Sequence, residues 1–268
     1  MDLTRADHVV GSTGSDMINR LERWYRVLAT GIGFLVFGVL VLFLSVMIWC
    51  SPRVEEARRH SRRKQRLASL AFRAFLGFLY EIGVFRKLEF RGLDRIPRDE
   101  SCVFVSNHPT LLDPVVLLSV LGPADCILKE KHMSFFAVIS RWFNYIPDQS
   151  STELFDECVD RLEDGHSLML FPERTRSPEG GLRPFSRVPA QVCLAADCPV
   201  VPVLIEVNHH AFGKDQAWYE VPPEPLHMRV TFFDPHKPDV RGRFSVASRT
   251  CVDAWERFYE RHLPVESL

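Results

Sequence analysis

The chain has 268 residues, 33 basic against 34 acidic, for a net charge of −1, and 46% of it is hydrophobic. Near-neutral charge leaves no electrostatic footprint for nucleic-acid binding. Seven cysteines, none in a C-x-x-C pair, fit reduced, buried thiols in a cytoplasmic setting rather than a disulfide framework or a zinc site.

In chain order, residues 1–26 form a short N-terminal segment. Residues 27–51 carry no charge and are dense in Leu, Val, Phe and Ile from Phe34 to Trp49. At 1.5 Å of rise per residue, about twenty such residues cross the roughly 30 Å hydrocarbon layer. The stretch is too long for a signal-peptide core, and no small-x-small cleavage site occurs between it and Arg53, so a retained membrane helix is expected. Arg20, Arg23 and Arg26 precede it, whereas Arg53, Arg58, Arg59, Arg62, Arg63, Lys64 and Arg66 come after it. That asymmetry places the C-terminal side in the cytoplasm and suits anionic lipid head groups. A hairpin dipping into one leaflet is the other geometry, with the same sidedness. Residues 52–84 read as a basic linker and an interfacial amphipathic helix, because the apolar run 67–84 is interrupted by Arg73 and Glu81.

Residues 85–268, about 185 in number, suffice for one domain with its own core. Strands are expected near 87–90, 102–105, 126–128, 167–171, 200–207 and 228–233. Helices are expected near 114–121, 134–145, 152–164, 189–196 and 245–262. Ser150 with Glu153 reads as a capping box and Gly165 as the end of that helix. The alternation predicts an α/β fold: a mainly parallel sheet flanked by helices.

Two strand ends carry the chemistry. Asn107-His108-Pro109-Thr110-Leu111-Leu112-Asp113-Pro114 comes after one apolar run, and Phe171-Pro172-Glu173-Arg174-Thr175-Arg176-Ser177 after another. The His-x4-Asp spacing is weak by itself: chance gives about 0.6 copies in such a chain, and this one has a second in His210 and Asp215. Context separates them. His108 sits at a strand's C-terminal edge, where open α/β sheets place their sites, and Asp113-Pro114 reads as a helix start. His210 has no helix start after it, and the pair His209-His210 has no convincing partner set, so no metal is expected. Histidine titrates in the range a general base needs, and an adjacent carboxylate holds one tautomer. Backbone N–H groups near the helix start are the expected oxyanion donors. Lys129 ends a strand and borders the same region, and Arg174, Arg176, Arg183 and Arg187 cluster around the second loop, where guanidiniums suit phosphate.

These motifs resemble those of the glycerolipid acyltransferase family, typified by 1-acylglycerol-3-phosphate acyltransferase. Asn107-His108 with Asp113 is similar to its first motif. Leu170 to Ser177 is similar to its third, except that Arg174 stands in place of glycine. Ser177 to Phe185 resembles the family's stretch after that third motif, and Pro199 to Ile205 its apolar, proline-containing fourth motif. The likeness runs from about Leu88 to about Val207. It implies a membrane-bound O-acyltransferase (EC 2.3.1.-) that moves a fatty acyl group from acyl-CoA or acyl carrier protein to a hydroxyl of a lysophospholipid or related lipid, with no cofactor. It implies His108 as general base, Asp113 as its partner, and Asn107, Lys129, Gln149, Glu173, Arg174, Thr175, Arg176 and Ser177 around the substrates. Gln149 replaces an arginine of the second motif, and Val188 stands where glycine is common. These departures point to an acceptor other than plain lysophosphatidic acid. They also leave two alternatives: a catalytically inactive lipid-binding protein on this fold, and a thioester hydrolase.

Overall fold

A computed structural model describes residues 7–50, 57–129, 146–148, 151–238 and 242–263. The elements run α1 (Asp7–Cys50), α2 (Ala57–Glu81), β1 (Phe85–Arg91), β2 (Val103–Ser106), α3 (Asp113–Leu121), β3 (Ala124–Lys129) and β4 (Ile146–Asp148). They continue with α4 (Ser151–Glu163), β5 (Ser167–Leu170), α5 (Val188–Ala195), β6 (Val200–Val207), β7 (Leu226–Phe232) and α6 (Phe244–His262). The seven strands form one sheet in the order β1-β7-β6-β2-β5-β3-β4. Every neighbouring pair is parallel except β6 and β7. The six expected strands are all present, and β4 adds a seventh. The helix expected at 134–145 lies outside the described residues.

Alternation along the central strands sorts two cores. Phe104 of β2 faces α2 and α3, together with Val201, Val203 and Ile205 of β6 and Met228, Val230 and Phe232 of β7. Val103 and Val105 face the opposite way, onto α4, α5 and α6, with Leu168, Leu170, Val200 and Leu204. Successive strand residues point to opposite faces, so a strand apolar at every position is one with helices on both sides. Gly92, after β1, has φ +71°, and a Cβ there would lie 2.2 Å from the Phe232 carbonyl oxygen. That turn excludes every residue with a side chain. Gly165 ends α4 as expected, at φ 82° with the His166 N–H returned to the Arg161 carbonyl. The cap expected at Ser150 lies outside the described residues.

The α2 helix spans most of the stretch read as linker and interfacial helix, and its inner face is part of the domain. Ala68, Phe72, Phe75, Leu76 and Leu79 are buried in the core that α3 shares. Three polar contacts fix its register: Gln65 Nε2 donates to Asp125 Oδ1 at 2.6 Å, Ser69 Oγ to the Gly122 carbonyl, and Arg73 Nε to the Ser119 carbonyl at 2.6 Å. Its outer side exposes Leu67, Leu70 and Tyr80. α1 runs alongside, with Phe37 against Phe72 and Phe75. The span 19–43 is the one helical stretch among the described residues long and apolar enough to cross a membrane. The six cysteines from Cys102 to Cys251 are buried and none forms a disulfide, and burial pushes the Cys102, Cys126 and Cys158 thiols up to about 12.

Asp125 is wholly buried and also meets Arg161 Nη1 at 3.3 Å and His166 Nδ1 at 3.1 Å. Removing one partner of a buried pair strands the other charge, whereas an exposed pair contributes little. Asp125→Ala is expected to lower the unfolding free energy by ~3 kcal/mol. Lys237→Ala, breaking the exposed pair with Asp197, should cost under ~0.5 kcal/mol. Denaturant melts of the two variants in detergent make the comparison.

Candidate active site

β2 and β5 are adjacent, parallel, and paired at Val105 and Leu170. Three residues beyond each paired position, on one edge of the sheet, stand His108 and Glu173. The convergence expected of the two motifs is therefore a consequence of register. Asn107, just past β2, is buried and works as a strand extension: its Nδ2 donates to the Ile205 carbonyl and its Oδ1 accepts from the Ile205 N–H, both at 2.8 Å. Expected beside the substrates, it instead fastens the His108 loop to β6.

His108 Nδ1 lies 2.8 Å from Asp113 Oδ2. That same oxygen accepts the Thr110 N–H at 2.7 Å, and Oδ1 accepts the Thr110 hydroxyl at 2.5 Å. A carboxylate oxygen only accepts, so Nδ1 carries the hydrogen and Nε2 keeps its lone pair. Asp113 has no solvent exposure, while the His108 side chain keeps 16%. The imidazole stacks on Phe171, with centroids 4.2 Å apart. Asp113 does not cap α3: Leu112 holds the cap position, and Asp113 turns its carboxylate back to the loop. The N–H groups of His108, Thr110 and Leu112 are all taken by side-chain oxygens of the two loops. Those three are therefore not free to be the oxyanion donors expected at the helix start.

The second loop is built around one carboxylate. Glu173 is 5% exposed. Its Oε1 accepts the Ser177 hydroxyl at 2.6 Å and the His108 N–H at 3.2 Å, and Oε2 accepts the Arg183 N–H at 2.8 Å. Ser177 closes the link by donating its N–H to the His108 carbonyl at 2.7 Å. Burial raises the Glu173 carboxyl above its usual range, opposed by these donors. Glu173 and Ser177, expected to meet substrate, thus lock the two motif loops together.

Arg176 is half-buried, and desolvation lowers its affinity for the proton. Its Nη1 donates to the Phe212 and Gly213 carbonyls at 2.6 and 2.9 Å. The 208–225 loop that it holds rests on α1 through Phe212 and Trp218 against Phe34. Arg183 Nε donates to the Arg176 carbonyl. Arg174 is exposed and Thr175 half-buried. Arg174 has φ 58°, the left-handed region that glycine enters without strain. Lys129 ends β3 on the same edge, one strand beyond β5. Gln149 lies outside the described residues. Val188 opens α5 and packs into the second core. Among the described residues no group of three or more His, Cys, Asp or Glu side chains could hold a metal ion. His210 packs over Gly213 and shows no bond to Asp215.

Three supports have no motif of their own. Thr110 shapes the turn that carries Asp113, and its position three residues upstream of an Asp is the one local signal for it. Tyr259 of α6 is fully buried; its hydroxyl donates to the Val105 carbonyl and accepts the Val203 N–H. Burial pushes that phenol well up. Glu256, one turn earlier, accepts the Phe185 N–H at 2.7 Å.

Residues 87–206 match the family described as Acyltransferase. A chloroplastic 1-acyl-sn-glycerol-3-phosphate acyltransferase, BAT2 of Brassica napus, is 32% identical over 185 residues, 64% of this chain and 51% of that protein. The Pseudomonas aeruginosa enzyme of the same name is 30% identical over 128 residues, 44% of this chain and 48% of that one. The chain spans about half the length of the curated relatives it matches. The crystal structure of the LPA acyltransferase PlsC from Thermotoga maritima shares the fold, with a TM-score of 0.63 at 18% identity over 92% of this chain and 97% of that one.

Glu173→Gln keeps the volume but puts an NH2 where either Ser177 and His108 or Arg183 needs an acceptor. An unmet buried polar group costs ~1–3 kcal/mol. The variant is expected to lose that much stability and at least about tenfold in activity. Glu173→Asp, too short to span both loops, should do no better; melts and rates on the same samples check both.

Proposed function

We propose that this chain is a member of the glycerolipid acyltransferase family and transfers a fatty acyl group from an acyl thioester to the free hydroxyl of a 1-acylglycerol-3-phosphate-type lysolipid. The observation that carries the reading is the His108–Asp113 pair at 2.8 Å, which engages Nδ1 and leaves the lone pair to Nε2. Nε2 takes the acceptor's hydroxyl proton as the oxygen attacks the thioester carbonyl carbon. Asp113 stabilises the imidazolium that forms. Collapse of the tetrahedral intermediate breaks the C–S bond, and the departing thiolate takes the proton back from Nε2. An ester and a free thiol result, with no covalent enzyme intermediate, because the thioester is already activated. The donor class, acyl-CoA or acyl carrier protein, is set by that thioester chemistry.

The acceptor in this reading is the one for which the relatives are named, and not the different one that the replacements at Gln149 and Val188 led us to expect. Arg174 supports it. An exposed guanidinium on the loop supplies the phosphate charge that Gln149 lacks, at the cost of a left-handed backbone. The membrane-bound setting rests on the apolar span 19–43. The cytoplasmic side of the domain rests on the basic residues between 53 and 66. A thioester hydrolase would need water held at the Nε2 position, and no observation favours it. An inactive lipid-binding protein does not account for an intact, oriented His–Asp pair.

His108→Ala should lose about 100-fold or more in rate with unchanged thermal stability. Asp113→Asn should lose activity as well, because a neutral amide cannot stabilise the imidazolium that forms. Turnover of acyl-CoA and acyl carrier protein donors with a lysophosphatidic acid acceptor is the assay. Acyl transfer that persists in His108→Ala defeats the mechanism. Arg174→Gly separates charge from backbone: relief of the left-handed strain should add ~1 kcal/mol of stability, while KM for the phosphate-bearing acceptor rises. An unchanged KM removes Arg174 from the acceptor site.

A further inference from the structure

Trp24 and Tyr25 of α1, Tyr80 of α2, and Trp218 and Tyr219 of the 208–225 loop are each more than half exposed, whereas Trp255 and Tyr259 of α6 are buried. The exposed aromatics fall on three segments that touch one another. Tyr25 donates its hydroxyl to the Ile82 carbonyl at 3.2 Å, tying its end of α1 to the end of α2 that carries Tyr80. Trp218 lies against Phe34 with ring centroids 6.5 Å apart, and a Cβ on Gly31 would come within 3.4 Å of the indole. Tyr219 packs edge-on to Trp218 at 5.7 Å.

The contact with α1 fixes the surroundings of the loop. Gly31 and Phe34 belong to the apolar span 19–43, and Ile32 and Leu35 beside them are exposed. A ring in contact with that turn lies within one side chain of whatever surrounds the turn. In water, Phe34, Trp218 and Tyr219 would join the outer side of α1 in one apolar patch, the kind that marks an interaction surface. In lipid, the loop is in lipid with the helix. Two properties suit it to the head-group layer. Trp and Tyr each combine an apolar ring with a polar tip, the chemistry enriched where membrane meets water. The turn that bears them also bonds its own backbone: the Ala217 N–H goes to the Glu220 carboxylate and the Glu220 N–H to the Ala217 carbonyl, both at 3.0 Å. Peptide groups already paired lose little on leaving water.

We propose that the 208–225 loop is a membrane contact in its own right, seating Trp218 and Tyr219 at head-group level in the lipid around residues 31–35 of α1. The proposal rests on the membrane-bound reading of the 19–43 span. Arg176 bonds the Phe212 and Gly213 carbonyls of the same loop. The contact therefore holds the reacting edge of the sheet against the lipid surface from which an amphiphilic acceptor arrives.

The test uses the full chain in phosphatidylcholine–phosphatidylglycerol liposomes. Tryptophan emission of the unaltered protein and of Trp218→Phe is compared in liposomes with and without acyl chains brominated near the head group, which quench nearby indoles. The emission lost in Trp218→Phe should belong to the quenched component, leaving the emission that survives bromine unchanged. In a Cys50→Ser background, where the cysteines from Cys102 to Cys251 are buried, a fluorophore is attached in turn at Tyr219→Cys, at Leu35→Cys on α1, and at Asp253→Cys on α6, which packs on the opposite face of the sheet. Doxyl-labelled lipid should quench the label at 219 at least about twofold more than the label at 253. Quenching at 35 with none at 219 overturns the proposal and leaves the membrane-bound reading standing. Quenching at neither overturns both. Loss of the bromine-resistant emission in Trp218→Phe, which puts that indole in water, also overturns the proposal.

Discussion

The buried Glu173 carboxylate is the constraint on which the site depends. Its two oxygens accept three donors from three places: the His108 N–H, the Ser177 hydroxyl and the Arg183 N–H. Taking a carboxyl group out of water is unfavourable unless its lone pairs are used. Here each donor belongs to a segment whose position matters to His108. The base is thus held twice, through its own backbone by Glu173 and through its ring by Asp113. A fold that fixed only the ring would leave the loop free to carry the whole pair out of line.

The sheet makes this economical. Two parallel neighbours, β2 and β5, deliver both loops to one edge in matched register, and β6 adds the Asn107–Ile205 amide exchange from the other side. α6 then supports the strand ends from below through Tyr259 and the second loop through Glu256. Arg176 extends the network outward to the 208–225 loop and, through Phe212 and Trp218, to α1. A continuous chain of contacts therefore joins the reacting edge to the helix with the apolar span. The same loop leaves Arg174 exposed beside the buried Glu173, so a residue that holds and one that can meet substrate are neighbours.

Much of this is legible in the sequence. Short apolar runs alternating with helical patterns give the parallel sheet, because helices on both faces let such strands stay apolar throughout. The site's location comes from His108 and Glu173 each standing just past such a run. Individual roles are less legible. Asn107, Glu173 and Ser177 are polar residues of a recognisable motif and read as substrate contacts. Their partners include backbone groups far off in the chain, nearly a hundred residues in the case of Asn107 and Ile205, and no local pattern records those. Tyr259 and Glu256 sit in an amphipathic helix and look like ordinary surface-to-core positions. Arg174 can be seen to replace a glycine, but only the backbone shows that the position has a positive φ. α2 reads from its hydropathy as lying on the membrane, and the contacts that make its inner face part of the domain join residues some fifty positions apart.

The central claim is that His108 is presented as a base, with its proton fixed on Nδ1 and its lone pair on Nε2. Nitrogen-15 magnetic resonance of histidine-labelled protein in liposomes reads the tautomer directly, with His108→Gln identifying the signal by its loss. The account predicts a neutral His108 protonated at Nδ1. A His108 protonated at Nε2 in the unaltered protein would contradict it, because that ring has no lone pair to offer an acceptor hydroxyl.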